Sequence, residues 1–147
     1  MKTEKIGVGI ITCDRPDFLE KCLKSIDTKL IDEIIIINDG FDDIDVGDIE
    51  EIKTTDRIGV AKGKNIALKH LYNKDCDYLF IIEDDMIILD NNVFQQYIKA
   101  HQKSGIHHFN YGPGSPFNRK QNIEFDLHNR HELDQHSEPK PRKIIDY

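Results

Sequence analysis

The chain has no excess of positive charge, no even set of cysteines, no long apolar run and no internal repeat. Each absence removes a class of protein. Lys and Arg number 20 against 27 Asp and Glu, a formal net charge of −7, which argues against nucleic-acid binding across a broad basic surface. Cys13, Cys22 and Cys76 are odd in number and lack metal-type spacing, so they read as reduced thiols of a cytoplasmic chain. No apolar stretch reaches the roughly 20 residues that a membrane-spanning helix needs. Lys2 and Lys5 lead into only a short apolar and glycine-containing segment, unlike a secretory signal. At 147 residues the chain is long enough for one domain with a real core.

What is present is a set of short buried-strand patterns, each ending in acids. Tyr78 to Ile82 has neither helical period nor polar alternation and reads as a strand buried on both faces. It stops at Glu83, Asp84 and Asp85, and apolar residues resume at Met86 to Leu89. Adjacent carboxylates are costly in a core, so they belong at an edge where water or a cation meets them. Ile6 to Ile11 is a first strand, followed by the turn Thr12-Cys13-Asp14-Arg15-Pro16. Pro16 suits a helix first turn, and Phe18, Leu19, Cys22, Leu23 and Ile26 share one face of a helix from about Asp17 to Asp27. Glu33 to Ile37 is a second strand, ending in Asn38-Asp39-Gly40. This spacing makes a βαβ unit.

The acidic stretch Asp42 to Glu51 reads as a solvated loop or short helix, and Ile52 to Thr54 as a short strand. Gly59 to Asn73 reads as a helix with Val60, Gly63, Ala67 and Leu71 along one stripe. Asn91 or Asn92 is placed to cap a helix carrying Val93, Phe94, Tyr97, Ile98 and His101. His107 to Asn110 is a candidate strand. After Tyr111 the turn-rich Gly112-Pro113-Gly114-Ser115-Pro116 begins a polar region. The expected organisation is a domain over 1–111 and a tail over 112–147, loop or partly disordered, with Pro139 to Lys143 as a linker.

In a parallel sheet the turns at 12–15, 38–40 and 83–85 share one edge, the edge where ligands bind in open α/β sheets. Asp14, Asp39, Asp84 and Asp85 then surround one cleft. Taken alone, Asp14 is better explained as a helix-capping acid; the triplet of acids after the strand is not so easily dismissed. Clustered carboxylates suit a hard divalent cation, which in turn binds a diphosphate. Arg57, Lys62 and Lys64 are cations within reach of phosphates, although Lys62 also reads as a plain solvated lysine.

These motifs, in this order, resemble the family 2 glycosyltransferases. The segment Ile10 to Pro16 is similar to that family's opening strand and turn, and Ile37-Asn38-Asp39-Gly40-Phe41 to its Val-Asp-Asp-Gly-Ser turn. Gly59 to Asn65 resembles its Gly-x-x-x-Ala-Arg-Asn segment, and Glu83-Asp84-Asp85 its Asp-x-Asp metal motif. The resemblance covers about residues 5 to 110. It implies an α/β, GT-A-like, Rossmann-related fold: an open, mostly parallel sheet flanked by helices. It also implies a metal-dependent, hexosyltransferase-like enzyme of polysaccharide biosynthesis. Such an enzyme moves a sugar from a nucleotide-diphosphate donor, with a UDP-sugar favoured, to a saccharide acceptor.

Carried over by position, Thr12 and Cys13 would line the nucleobase pocket and Asp39 would hydrogen-bond the base. Asp14 and Arg15 belong to the same nucleotide-binding turn. Lys64 would sit near base or phosphates, and Asp84 would face ribose or sugar. Asp85 would hold Mn²⁺ or Mg²⁺, with Glu83 a further candidate ligand. The sequence departs from the family at Cys13, where an aromatic is usual, at Phe41 for serine and at Lys64 for arginine. The region that in the family binds acceptor and supplies the catalytic base has no counterpart motif, and none of Glu124, Asp126, Glu132 and Asp134 is assigned as base. The alternative reading is therefore a donor-binding half that needs a partner chain or a homo-oligomer. A nucleotidyltransferase ranks last, since no glycine-rich loop follows Ile11.

Three local motifs are set aside. Gly7-Val8-Gly9 lies inside a strand and lacks the third glycine of a dinucleotide fingerprint. Gly59 to Asn65 is one residue short of a Walker A loop and has Asn65 for Ser or Thr. His131 to His136 is one residue too long for a zincin helix, and the late histidines read as incidental to a polar tail.

Overall fold

The computed structural model describes residues 4–110. The chain divides between Gly105 and Ile106 into two units. The first is a parallel sheet of four strands in the order β3-β2-β1-β4. Its strands are β1 (Ile6–Thr12), β2 (Glu33–Asn38), β3 (Glu50–Lys53) and β4 (Tyr78–Glu83), and its helices are α1 (Pro16–Ser25), α2 (Val60–Asn73) and α3 (Val93–Ser104). A single 3₁₀ turn, Thr28–Leu30, leads into β2. The sheet is thus wholly parallel, an α/β arrangement compatible with a Rossmann-like fold. The switch in strand order falls between β1 and β4.

β1 is the central element. Every one of its residues is buried, and it pairs with β2 on one side and β4 on the other. Val8, Ile10 and Ile36 pack on one face of the sheet with Leu19, Cys22 and Ile26 of the α1 region and Phe94 of α3. Ile11, Ile35 and Ile37 pack on the other face with Ala67 and Leu71 of α2 and with Cys76. Each fully buried isoleucine or leucine contributes about 1.5–3 kcal/mol relative to exposure.

The glycines of β1 serve this packing rather than a nucleotide. A Cβ at Gly7 would lie 2.8 Å from Cys76 Sγ and from Leu71 Cδ2, and one at Gly9 would lie 2.7 Å from Ala67 Cβ. Their missing side chains let α2 approach β1 closely.

Several expectations change. β4 is half-buried throughout rather than buried on both faces, because it is an edge strand of the described sheet. The loop after β2 gives way to β3 at Glu50, earlier than Ile52. Val60 is 49% exposed rather than part of the buried stripe. It begins α2 beside the carboxyl end of β2, where Gly59 N donates to Asp39, and so projects past the strands. Asn92 occupies the cap position of α3 but makes no side-chain cap bond. Asn91 instead accepts from Asp27 N and donates to Ser25 O, tying the end of α1 to the loop before α3. Residues 106–110 form no strand. Only Phe109 among them is even half-buried, which leaves little apolar surface to drive strand formation. The tail expectation, 112–147, lies outside the described residues.

Candidate functional site

The buried polar side chains among the described residues are Thr12, Asn38, Asp39 and Asp84. All of them sit at or just beyond the carboxyl end of a strand. Burying such groups is unfavourable unless each finds a partner, so the edge is defined by the network that supplies those partners.

The turn after β1 is its hub. Thr12 Oγ1 donates to Asp84 Oδ2 at 2.7 Å. Asp84 is fully buried, and its Oδ1 meets no donor in hydrogen-bond geometry; the Arg15 guanidinium faces it as an ion pair. The same guanidinium lies 3.5 Å from Asp85 Oδ2, so Arg15 spans both acids. Asp85 itself is half exposed. Beside them Lys64 Nζ, on α2, donates to Glu83 Oε1 at 2.7 Å.

On the other side of the hub, Asp14 reaches the turn after β2. Its Oδ1 accepts from Phe41 N at 2.7 Å and Asp42 N at 3.2 Å, and its Oδ2 pairs with Arg57. The Asp42 amide, then that of Phe41 and the Arg57 charge, hold its carboxyl below the usual range against the effect of burial. Gly40 is required here by space. A Cβ on it would lie 2.6 Å from Asp14 N, a backbone atom that cannot step aside. Asn38 shapes the same turn: its Oδ1 accepts from Gly40 N at 3.0 Å while its Nδ2 donates to Asp42 O and Glu51 Oε1.

Asp39 is 5% exposed and is met from the loop before α2. It accepts from Thr54 Oγ1, from Ile58 N at 2.7 Å and from Gly59 N at 2.8 Å. Burial alone would push its pKa up. The Thr54 hydroxyl, the Gly59 and Ile58 amides and the Arg57 charge outweigh that and leave it lowered. Oδ2, with one donor, keeps one acceptor position. Cys13 Sγ lies 3.4 Å from Asp39 O. Near the acids on the α1 side, burial and then the charges of Asp84 and Asp85 push the Cys22 thiol up to about 11.

The residues singled out in the sequence thus fall into one connected network. Thr12, Arg15, Asp84 and Asp85 form one part, Asp14 and Asp39 with the β2 turn another, and Lys64 with Glu83 a third. Reasoning from sequence missed Asn38, Thr54 and the bridging role of Arg15. The Asn-Asp-Gly spacing is a recognisable signal for a side-chain-closed turn at Asn38. Nothing local signals that Arg15 reaches acids so distant in the chain.

The same geometry tests the metal expected from the acids. No three His, Cys, Asp or Glu side chains among the described residues are grouped as a ligand set. Asp85 offers one half-exposed carboxylate. Mg²⁺-type ions commonly take only one or two carboxylates from the protein, with phosphate oxygens and water completing the shell. The described residues alone supply no caged site, and Asp85 is the carboxylate among these acids that is open to a metal. No helix among the described residues is long and apolar enough to cross a membrane. No family model, curated protein or solved structure matches the chain.

Proposed function

We propose that this chain binds a nucleotide-diphosphate sugar at the carboxyl edge of its sheet and serves transfer of that sugar to a saccharide acceptor. The observation that supports this most is the joining of three strand-end turns into one polar network beside the β1/β4 switch in strand order. Crevices at such positions are where open α/β sheets take nucleotides. Thr12, Cys13 and Asp39 are candidates for the base and ribose side, and Arg15 and Lys64 for the phosphates. Asp85, with Glu83 beside it, would hold Mn²⁺ or Mg²⁺, which when bound would draw electron density from the diphosphate leaving group.

A specific observation favours a second reading. Each acid of the three turns already has a partner in the chain: Asp14 with Arg57, Asp39 with Thr54 and two amides, Glu83 with Lys64, Asp84 with Thr12 and Arg15, Asp85 with Arg15. None of these five acids is left unengaged as a general base for an acceptor hydroxyl. That arrangement suits a donor-binding module completed by a partner chain or a second copy.

Calorimetric titration of UDP, GDP and their sugar conjugates, first with Mn²⁺ and then with EDTA, tests the proposal. Metal-dependent binding of one nucleotide, lost in Asp85→Ala, is the expected result. Binding of none of them sinks it. Sugar transfer by a monodisperse monomer would exclude the second reading.

A further inference from the structure

We infer that the ring of Phe41, backed by Arg57, is the stacking surface for the nucleobase of the bound nucleotide. This rests on the nucleotide-binding reading above and assigns the part of the ligand that Phe41 touches. Phe41 follows Asp39 and Gly40 in the turn after β2 and is 68% exposed. A single exposed aromatic is ordinary. This one differs in how firmly it is fixed. Its amide donates to Asp14 Oδ1 at 2.7 Å, and its carbonyl accepts from Lys53 Nζ at 2.9 Å. The Arg57 guanidinium lies 4.4 Å from the ring centroid, and Arg57 is itself held by the ion pair to Asp14.

The backbone around the ring is unusual as well. Asp14 and Arg57 are two of the three non-glycine residues with left-handed φ among the described residues, at +51° and +43°; the third, Asp75, follows α2. Outside glycine, residues held in that region tend to gather where a site is being shaped. Here the shaped object is an aromatic face turned to solvent.

Its surroundings match one kind of ligand. A cation backs the ring, and that cation, Arg57, is held in place by Asp14, as Lys53 is by Asp43. An aromatic face backed by a guanidinium accepts any planar base. Asp39, two residues away, keeps an acceptor position for a base or ribose donor. The overall negative charge disfavours a nucleic-acid strand in place of a mononucleotide.

The test is titration of UDP, GDP and pyrophosphate, each with Mn²⁺, into the full chain and its Phe41→Ala variant. Stacking of one base predicts UDP and GDP binding weakened about tenfold to a hundredfold, with pyrophosphate changed less than about twofold. The chain has no tryptophan, so Phe41→Trp supplies a single reporter. Its emission should be quenched by UDP and GDP and not by pyrophosphate. Equal nucleotide affinity in wild type and Phe41→Ala overturns the inference and leaves the nucleotide-binding reading standing. An equal loss for pyrophosphate also overturns it, because the ring would then act through the loop. Absence of all nucleotide binding in the wild type removes inference and reading together.

Discussion

The two ends of the sheet use the same residue types to opposite effect. At the amino end, Lys5 Nζ donates to Glu33 Oε1 and to Lys74 O, each at 2.9 Å, and Asp32 and Asp77 accept from the amides of Ile6 and Lys5. The Lys5–Glu33 pair remains about one-third exposed, at 32% and 29%. At the carboxyl end, Asp84 is fully buried and Asp39 nearly so. Water can screen and replace the first set of contacts, but it cannot reach Asp84. A fold that needed only to close its strand ends could use the amino-end solution twice. Retaining buried carboxylates at one end alone is the pattern expected where a protein accepts a local cost for a site.

The sharpest way to break this comparison is Asp84→Ala. It leaves the Thr12 hydroxyl buried without its acceptor and opens a void beside α1. The expected loss is about 2–4 kcal/mol. That figure is set below the value for a wholly buried ion pair because Arg15 is 42% exposed and can rehydrate. Urea denaturation measures it directly. Asp85→Ala, one residue on and half exposed, should stay within about 0.5 kcal/mol of wild type without metal. Adding Thr12→Val to Asp84→Ala should cost less than the two single changes summed, since the stranded hydroxyl is then gone. Equal losses for Asp84 and Asp85 would mean that burial does not distinguish these neighbours.

That pair of acids also marks the limit of what the sequence made legible. Strand runs of isoleucine and the amphipathic stripe of α1 are local patterns, so β1, α1, β2, α2 and β4 could be read within a residue or two. The strand-end turns at 12–15, 38–40 and 83–85 could be grouped because a parallel sheet places all strand carboxyl ends together. The burial of β4 was misjudged. Tyr78 to Ile82 looks as buried as Ile6 to Ile11, and only the pairing order puts β4 at an edge. The use made of each acid was equally hidden. Asp84 and Asp85 are adjacent and chemically identical, yet one lies beneath Arg15 and Thr12 and the other faces solvent. Side-chain direction in the turn after β4 decides this, and the partner lies far away in the chain. Asp39 drew notice as a ligand for a base, whereas most of its acceptor capacity goes to Thr54 and to the Ile58 and Gly59 amides at the start of α2.

Acid titration gives a smaller and more gradual contrast. Asp39 has a lowered folded-state pKa. Its contribution to stability is therefore complete above the unfolded value, near 3.9, and is lost as pH falls through the lower folded value. Asp14 is lowered too, so the carboxyl end should weaken as the solution becomes acidic below about pH 4. Asp39→Asn should flatten that part of the stability–pH curve. It should also lower stability at pH 7, where the amide oxygen can serve only one side of the donor set and its NH2 faces donors on the other. Denaturation midpoints at pH 7, 5, 4 and 3 would show it; parallel curves for wild type and Asp39→Asn would contradict the assignment.

At the amino end the expected effects are smallest. The Lys5–Glu33 hydrogen bond and charge raise the Lys5 pKa, but the pair is open to solvent. Ion pairs of this exposure contribute little and fade with salt. Glu33→Gln should therefore shift the urea midpoint only slightly, and the shift should shrink further in about 1 M salt, where the screening length is near 3 Å. Asp84→Ala should keep its larger effect in the same salt, because the Thr12 hydroxyl it strands is buried away from ions. If salt erased both effects alike, the two ends of the sheet would be equally wet, and the buried acids at the carboxyl end would lose their claim to mark a site.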